Sequence, residues 1–248
     1  MSFQDHFSRQ ADAYARYRPR YPQGLYRYLA GLCLRRNLAW DCATGNGQAA
    51  LGLAPYFSQV IATDASERQI AQAEAHPGVE YRVAPAEASG LPGRSVDLIT
   101  VAQAFHWFEF EKFYAEVRRV AVPQGIIALW GYQHFSCSPE IDRVYLRYYS
   151  ETVGPYWPAD RRWVEERYQG IPFPFPELEA PEFSMTLRWN LEDLLGYLGT
   201  WSATQRYREA MGRDPLPELR NKLAPLWGDP EQAREIRWPL FLRVGRVI

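Results

Sequence analysis

The residues with the clearest capacity for chemistry lie in the stretch DCATGNGQAA, residues 41–50. It contains two glycines, Gly45 and Gly47, and such a turn lets a ligand approach the backbone. The segment from Gly45 to Ala50 fits the dinucleotide pattern G-x-G-x-x-A. With Ala43 in place of one glycine, the stretch also fits a D-x-G-x-G-x-G turn that holds S-adenosylmethionine. The turn by itself therefore allows either hydride transfer or methyl transfer.

Two acidic residues bear on this choice. Asp64 stands 64 − 45 = 19 residues after Gly45, a spacing that suits an acid binding the ribose hydroxyls of an adenosine. Both cofactors contain that ribose, so Asp64 does not decide between them. Asp41 lies at the end of a predicted strand, where its carboxylate would repel a diphosphate and attract a sulfonium and an ammonium group. We therefore expect S-adenosylmethionine; the alternatives are an NAD-dependent oxidoreductase and a non-catalytic S-adenosylmethionine-binding protein.

The ends of two later strands add further candidate residues. Ala86 and Glu87 follow the third predicted strand, where a small residue and an acid suit an adenine edge. The fourth strand ends in QAFHWF, residues 103–108. We expect Phe105 and Trp107 to line an acceptor pocket. His106 is predicted to orient or deprotonate the acceptor, because the usual pKa of histidine lies near neutrality.

The elements that must position these residues alternate between strand and helix over residues 36–132. This alternation predicts a parallel sheet with right-handed crossovers, covered by helices on both faces. Ligands on such sheets bind at the carboxyl ends of the strands, where all the candidate residues above are predicted to lie. The predicted strands are 38–43, 59–64, 79–84, 95–102 and 125–132, and the predicted helices are 47–57, 65–76 and 109–122.

The remainder of the chain has a different pattern. Residues 133–181 are rich in aromatic residues and prolines and are predicted to form a cap with a helical insertion over 139–152. Strands over 183–189 and 236–248, with helices over 191–212 and 216–227, would complete a seven-stranded sheet that has an antiparallel last strand. The predicted organisation is a helical lid over 1–35, a Rossmann-like core over 36–132, a substrate cap over 133–181 and a completion of the sheet over 182–248.

Composition excludes several classes of function. The chain has 248 residues, and 28 basic against 29 acidic side chains give a net charge of −1, which argues against a nucleic-acid partner. No apolar run is long enough to span a membrane, and the polar N-terminus predicts a cytoplasmic protein. The three cysteines and four histidines show no metal-ligand spacing, so no metal is expected. An aromatic share of 15% indicates an aromatic-lined pocket. The sequence leaves the oligomeric state open.

The succession of these segments resembles the class I S-adenosylmethionine-dependent methyltransferases. The segments that carry the resemblance are DCATGNG, VIATD, APAEASGLP, SVDLITVAQAFHWF and PQGIIAL. The segments FSRQADAYARYRPRYP, FHWF and LGTWSATQRYREA are similar to the branch that contains trans-aconitate methyltransferases. The resemblance implies a small-molecule acceptor and methylation on oxygen, at either a carboxylate or a hydroxyl.

The resemblance also implies positions for individual residues. Arg18 would pair with the cofactor carboxylate, and Ala43 is expected to have an ordinary negative φ. Independently of the resemblance, a carboxylate acceptor would need a cationic clamp, for which Arg161, Arg162 and Arg206 are candidates. The implied cofactor-binding residues are Tyr14, Arg18, Asp41, Ala43, Gly45, Gly47, Asp64, Ala65, Ala86, Glu87, Gln103 and Ala104; the implied substrate-binding residues are Phe105, Trp107, Trp201 and Arg206.

Overall fold

The computed structural model describes residues 19–248. Tyr14 and Arg18 lie outside the described residues, so the lid predicted over 1–35 is described only in its last part. A sheet of seven strands forms the centre of the fold. The strands are β1 (Leu38–Cys42), β2 (Gln59–Asp64), β3 (Val79–Val83), β4 (Val96–Ala102), β5 (Ala121–Tyr132), β6 (Ser184–Trp189) and β7 (Arg234–Arg246).

The sheet has the order β3-β2-β1-β4-β5-β7-β6. Strands β1 to β5 run parallel to one another. Strand β7 runs antiparallel to both β5 and β6. The predicted mostly parallel sheet with an antiparallel last strand is confirmed. The strand order reverses direction between β1 and β4, and the carboxyl ends beside such a switch point form a crevice for ligands. Asp97 fixes the opposite end of these strands, because its Oδ2 accepts hydrogen bonds from the backbone N–H groups of Asn37 (2.8 Å) and Leu38 (3.0 Å).

Helices cover both faces of the sheet. Alternation along the buried strands separates two cores: Leu98 and Ala128 face one core, and Ile99 and Ile127 face the other. The helices are α1 (Gln23–Leu32), α2 (Gln48–Leu53), α3 (Glu67–Ala71), α4 (Phe110–Val120), α5 (Pro139–Arg147), α6 (Arg161–Glu165), α7 (Leu191–Gly199), α8 (Ser202–Met211) and α9 (Leu216–Trp227).

Some elements differ from the prediction in length. The helix predicted over 191–212 is two helices, α7 and α8, because the chain turns at Thr200 and Trp201. The Thr200 hydroxyl donates to the Tyr197 carbonyl (2.7 Å), and such a bond competes with continuation of a helix. The break places Trp201 at the start of α8, facing the carboxyl ends of the sheet. Strand β5 begins at Ala121 rather than at residue 125, directly after α4.

Within residues 19–248, no helix is both long and apolar enough to cross a membrane.

Candidate functional site

A cavity of 1760 Å³ lies over the carboxyl ends of the parallel strands. One end, here called the cofactor end, is lined by the turn after β1 and by the ends of β2 and β3. The other, here called the acceptor end, is lined by the segment after β4 and by residues from 157–163 and 197–202. The volume exceeds the 300–1,000 Å³ of ordinary ligand pockets, which suits two bound molecules.

The turn after β1 is more strained than the sequence suggested. Ala43 has a φ of +52°, so the expected negative φ was wrong. The backbone N–H of Thr44 donates to the Thr63 carbonyl on β2 (2.9 Å), and the Thr44 hydroxyl donates to Asp41 Oδ2 (2.5 Å). Because these bonds fix the residue after Ala43, the turn is held in a left-handed conformation that costs an L-residue about 1–2 kcal/mol.

The two glycines of the turn serve different neighbours. Gly45 has a φ of +58° and lines the cavity; a Cβ added there would meet only Gln69 Oε1, at 3.9 Å. Gly47 has a φ of +90° and does not line the cavity. A Cβ at Gly47 would lie 2.3 Å from the Tyr81 hydroxyl oxygen. Gly45 therefore opens the backbone to a ligand, whereas Gly47 leaves room for a tyrosine from β3. The predicted contact of Gly47 with the cofactor stays a prediction.

Asp41 supports the turn from beneath and does not line the cavity. Its side chain is 1% exposed, and its Oδ1 and Oδ2 accept hydrogen bonds from the hydroxyls of Thr100 (2.8 Å) and Thr44 (2.5 Å). Burial raises the pKa of this carboxyl to about 6, although the threonine hydroxyls act in the opposite direction. The predicted contact of Asp41 with the cofactor stays a prediction; in this structure its carboxylate contacts the turn through Thr44.

Asp64 and Glu87 line the cofactor end with carboxylate oxygens. The Gly45 N–H donates to Asp64 Oδ2 (2.9 Å) and the Ser66 N–H donates to Asp64 Oδ1 (2.8 Å). Both carboxylate oxygens of Asp64 therefore hold the turn, while the side chain lines the cofactor end. Glu87 Oε1 accepts from the Glu109 N–H (3.1 Å), which leaves its second oxygen for another donor.

Gln103 closes the floor of the cavity by extending the sheet with its side chain. Its Nε2 donates to the Tyr132 carbonyl (3.1 Å), and its Oε1 accepts from the Tyr132 N–H (2.8 Å). These two bonds reproduce a backbone rung between β4 and β5. Gln103 has a φ of +58°, and Gly131 leaves the space its amide occupies, because a Cβ there would lie 2.6 Å from Gln103 Oε1.

The segment after β4 is anchored by Phe105, which corrects the prediction that Phe105 contacts substrate. Its side chain is fully buried and does not line the cavity. The ring packs against Phe110 (4.9 Å between centroids) and Tyr168 (5.4 Å). With Phe105 held inside, the short helix over Phe105–Trp107 turns His106 and Trp107 toward the cavity. Trp107 is 46% exposed at its mouth.

His106 is held by a buried tyrosine. Its Nδ1 lies 3.1 Å from the Tyr168 hydroxyl oxygen, and Tyr168 is fully buried. Burial raises the pKa of the Tyr168 hydroxyl, so this group keeps its proton. It can donate that proton to Nδ1 in the tautomer of His106 that carries its own proton on Nε2. Burial, with a smaller effect from the Arg161 charge, lowers the pKa of His106 to about 3, well below the near-neutral pKa expected of a general base.

The acceptor end joins aromatic rings to one cation. Arg161 Nε donates to the Tyr149 hydroxyl (3.2 Å), and its guanidinium carbon lies 4.7 Å from the centroid of a Trp157 ring. The Tyr149 hydroxyl donates in turn to Glu165 Oε1. Trp201 packs against Trp157 with centroids 5.5 Å apart. Trp157, Arg161 and Trp201 all line the cavity.

Arg206, predicted to bind substrate, does not line this cavity. It lies one turn beyond Ser202 on α8, and Ser202 is the α8 residue that faces the cavity. The lining residues that sequence reasoning missed include Gln69, Tyr132, Gln133, Thr200 and Tyr197. It also missed Tyr168, which supports His106. Only the aromatic richness of the cap gave a signal for any of them.

The predicted residues that the structure brings together around the cavity are Ala43, Gly45, Asp64, Ala65, Ala86, Glu87, Gln103, Ala104, His106, Trp107 and Trp201.

The polar and small side chains at the cofactor end fit S-adenosylmethionine. Asp64 offers carboxylate lone pairs to a ribose diol, and Glu87 offers an acceptor for an exocyclic amine. The space over Gly45 is open to a ligand, and small side chains at Ala65 and Ala86 line the same region.

Comparisons with known proteins agree with this fit. The family described as "Methyltransferase domain" matches residues 40–129, the stretch that supplies β1 to β5. A Dictyostelium discoideum protein with the provisional name of methyltransferase is 36% identical over 98% of this chain and 95% of its own length. Saccharomyces cerevisiae CRG1, named a probable S-adenosylmethionine-dependent methyltransferase, is 29% identical over 63% of this chain and 58% of its own.

A solved structure extends the similarity to nearly the whole fold. The protein comes from Anaeromyxobacter dehalogenans and is provisionally described as a type II methyltransferase. It is 47% identical, covers 94% of this chain and 99% of its own, and superposes with a TM-score of 0.90. These similarities favour methyl transfer over the hydride transfer that the glycine turn also allowed. The chain belongs to the class I S-adenosylmethionine-dependent methyltransferases.

Proposed function

We propose that this enzyme methylates a small molecule on oxygen, and that the acceptor atom is a carboxylate oxygen rather than a hydroxyl. The observation that carries this proposal is the Arg161 guanidinium at the acceptor end of the cavity. Arg161 forms no ion pair with any carboxylate of residues 19–248. A partly buried cation of this kind suits an anionic ligand group.

The contacts of Arg161 aim its donors at the cavity. Nε is engaged by the Tyr149 hydroxyl, and Trp157 and Tyr149 present their rings to the guanidinium at 4.7 and 5.8 Å. The remaining N–H donors lie on the two terminal nitrogens, the part of the fork that binds a carboxylate in two parallel hydrogen bonds. The arrangement therefore supports a carboxylate acceptor held in a fixed orientation.

His106 supports the same acceptor. With its pKa lowered to about 3 by burial, the imidazole is neutral at physiological pH and is a weak base. A hydroxyl acceptor would have to lose its proton, whereas a carboxylate is already ionised. In the tautomer whose Nδ1 accepts from the Tyr168 hydroxyl, the Nε2–H of His106 donates a hydrogen bond to the acceptor. His106 therefore orients the acceptor instead of deprotonating it.

The chemistry then needs little from the protein beyond position and environment. S-adenosylmethionine, when bound, supplies an electrophilic methyl group, whose transfer forms a C–O bond to the carboxylate oxygen, breaks the S–C bond and leaves the electron pair on a neutral thioether. Arg161 orients the carboxylate, and Trp107, Trp157 and Trp201 exclude water around it. No proton has to move.

We also propose that the residues lining the cofactor end contact the cofactor, with Asp64 and Glu87 as its main polar partners. Asp64→Asn removes one carboxylate oxygen and its charge, and should weaken binding of S-adenosylhomocysteine by about tenfold or more. Calorimetric titration measures this effect, and the unfolding temperature of the variant shows whether the turn survives. If Asp64→Asn bound S-adenosylhomocysteine with the wild-type affinity, the proposed contact of Asp64 with the ribose would be wrong.

The acceptor is tested with labelled S-adenosylmethionine and a panel of carboxylic acids, each matched with its alcohol. We expect label only in products of the acids, and release of that label as methanol in mild alkali, as for a methyl ester. Arg161→Met should abolish turnover and keep S-adenosylhomocysteine binding. Arg162→Met is the matched control, because Arg162 is exposed, stacks on Trp163 at 4.3 Å and does not line the main cavity. Labelled ethers from the alcohols would contradict the proposal.

A cytoplasmic location and the absence of a nucleic-acid partner remain predictions from the sequence.

A further inference from the structure

We propose that the acceptor is a flat aromatic monocarboxylate, whose ring lies on a wall formed by Trp157, Tyr197 and Trp201 while its carboxylate meets Arg161. This inference rests on the proposed carboxylate acceptor. It further specifies that the acceptor has an aromatic ring and a single carboxylate.

The wall is continuous and faces the cavity. Trp157 and Trp201 have ring centroids 5.5 Å apart, and Trp201 and Tyr197 have centroids 5.9 Å apart. All three residues line the cavity, although they come from two distant stretches of chain. The rings are inclined to one another by 51° and 80°. A planar ligand ring can therefore stack on one face and meet the edge of a neighbouring ring, whereas a small aliphatic acid has no ring face to offer.

The wall is also held rigidly before any ligand binds. The indole Nε1 of Trp157 donates to the Tyr149 carbonyl (3.3 Å). The backbone N–H of Trp201 donates to the Leu198 carbonyl (3.3 Å). Tyr149 packs against both tryptophans from behind, with centroids 4.9 Å from Trp157 and 5.7 Å from Trp201. Fixed ring faces cost little to organise on binding.

Polar side chains beside the wall are already engaged with backbone groups. The Thr200 hydroxyl donates to the Tyr197 carbonyl (2.7 Å), and Gln133 Nε2 donates to the Val164 carbonyl (2.7 Å). These groups therefore offer few donors to the several oxygens of a polyacid, and the wall presents ring faces to the acceptor.

The charges around the cavity match a single carboxylate. Within the described part of the chain, its lining cations are Arg20, Lys112 and Arg161. Lys112 is paired with Glu109 (2.8 Å), and Arg20 directly follows Pro19, whose carbonyl accepts from Gln48 of α2, at the cofactor end. Arg161 is thus the cation available at the acceptor end.

A second carboxylate on the acceptor would meet unfavourable surroundings. Asp160 lines the same end, and its Oδ1 is buried without a hydrogen-bond donor. His106 is neutral there. Like charges without a counter-ion are costly in such a partly buried site, so the geometry disfavours di- and tricarboxylates.

Calorimetry on the full chain saturated with S-adenosylhomocysteine tests the inference. The probes are 2-naphthylacetate, the aliphatic tricarboxylate tricarballylate, and 2-(2-naphthyl)ethanol, which keeps the ring and loses the charge. We expect 2-naphthylacetate to bind at least tenfold more tightly than the other two. Trp201→Leu should weaken that binding roughly tenfold through loss of one ring face, and Trp201→Phe by less than threefold. Both variants should keep the wild-type affinity for S-adenosylhomocysteine, which shows that the fold is intact.

The outcomes separate this inference from the proposed function. Tighter binding of tricarballylate, or equal binding of 2-naphthylacetate by the leucine and wild-type proteins, would overturn the aromatic monocarboxylate and leave a carboxylate acceptor standing. Equal binding of the naphthyl acid and the alcohol, unchanged in Arg161→Met, would overturn the carboxylate acceptor and this inference with it. Absence of binding of 2-naphthylacetate at millimolar concentration would also overturn the inference.

Discussion

Replacing Ala43 by glycine should make this protein more stable. Ala43 has a φ of +52°, which costs an alanine about 1–2 kcal/mol relative to glycine. Glycine also makes the unfolded chain more flexible, which lowers the free energy of unfolding by about 0.4–1 kcal/mol and offsets part of the effect. With the central values of these two ranges, the net gain in the free energy of unfolding is about 0.8 kcal/mol. For a chain of this length it corresponds to a rise of roughly 1–4 °C in the unfolding temperature.

Thermal and urea unfolding of Ala43→Gly, with and without S-adenosylhomocysteine, measure this gain. The matched control is Ala115→Gly, an exposed position inside α4, where glycine should lower the free energy of unfolding by about 1 kcal/mol. The two substitutions are chemically identical and should have opposite signs. A loss of stability in Ala43→Gly comparable to that of the control would show that the turn does not hold Ala43 in the left-handed conformation.

Three further predictions concern the neighbours of the site. Gly47→Ala should lower the free energy of unfolding by about 2 kcal/mol, because its Cβ would meet the Tyr81 hydroxyl at 2.3 Å; Tyr81→Ala should recover part of the loss in the double variant, and additive losses would argue against the contact. The pKa of His106 is lowered to about 3 in the folded state. Between pH 6.5 and 3 the unfolded chain therefore binds a proton that the folded chain does not bind. The free energy of unfolding should fall as the pH falls, by at most about 1.4 kcal/mol per pH unit. Asp41, with its folded pKa raised to about 6, acts with the opposite sign between pH 6 and 4, so urea titrations of wild type and His106→Gln isolate the histidine; parallel pH profiles would refute its burial as a neutral group. Tyr168→Phe should shift the ring-nitrogen NMR resonances of His106 away from a fixed Nε2–H tautomer and lower kcat/KM several-fold, with S-adenosylhomocysteine affinity unchanged; unchanged resonances would contradict the role of the Tyr168 hydroxyl.

The parts of the structure that could be read from the sequence depend on local pattern. Alternation of strands and helices predicts the parallel sheet, and a parallel sheet brings strand ends together. For that reason Asp64, Glu87 and His106 could be assigned to one edge without any knowledge of their contacts.

The features that sequence reasoning missed depend on contacts between distant residues. The positive φ of Ala43 follows from a hydrogen bond between Thr44 and Thr63, and the need for glycine at position 47 follows from Tyr81. The sequence alone does not show whether Asp41, at the end of a strand, is exposed or is buried by hydrogen bonds to two threonines, as in the structure. Arg161 and Arg162 are adjacent in sequence, and only the packing of Arg161 against Trp157 distinguishes the one that lines the main cavity.

The two ends of the cavity draw largely on different parts of the chain, although the segment after β4, inside the family match, also lines the acceptor end. The cofactor end is built mainly from the stretch matched by the methyltransferase family, whereas Trp157, Arg161, Tyr197 and Trp201 lie outside it. If the strand ends hold the methyl donor as proposed, substitutions in the cap and in the turn between α7 and α8 would exchange acceptors without disturbing donor binding. A designer has the same freedom: new acceptor specificities can be selected from libraries confined to these cap positions, on a scaffold whose donor chemistry is inherited unchanged.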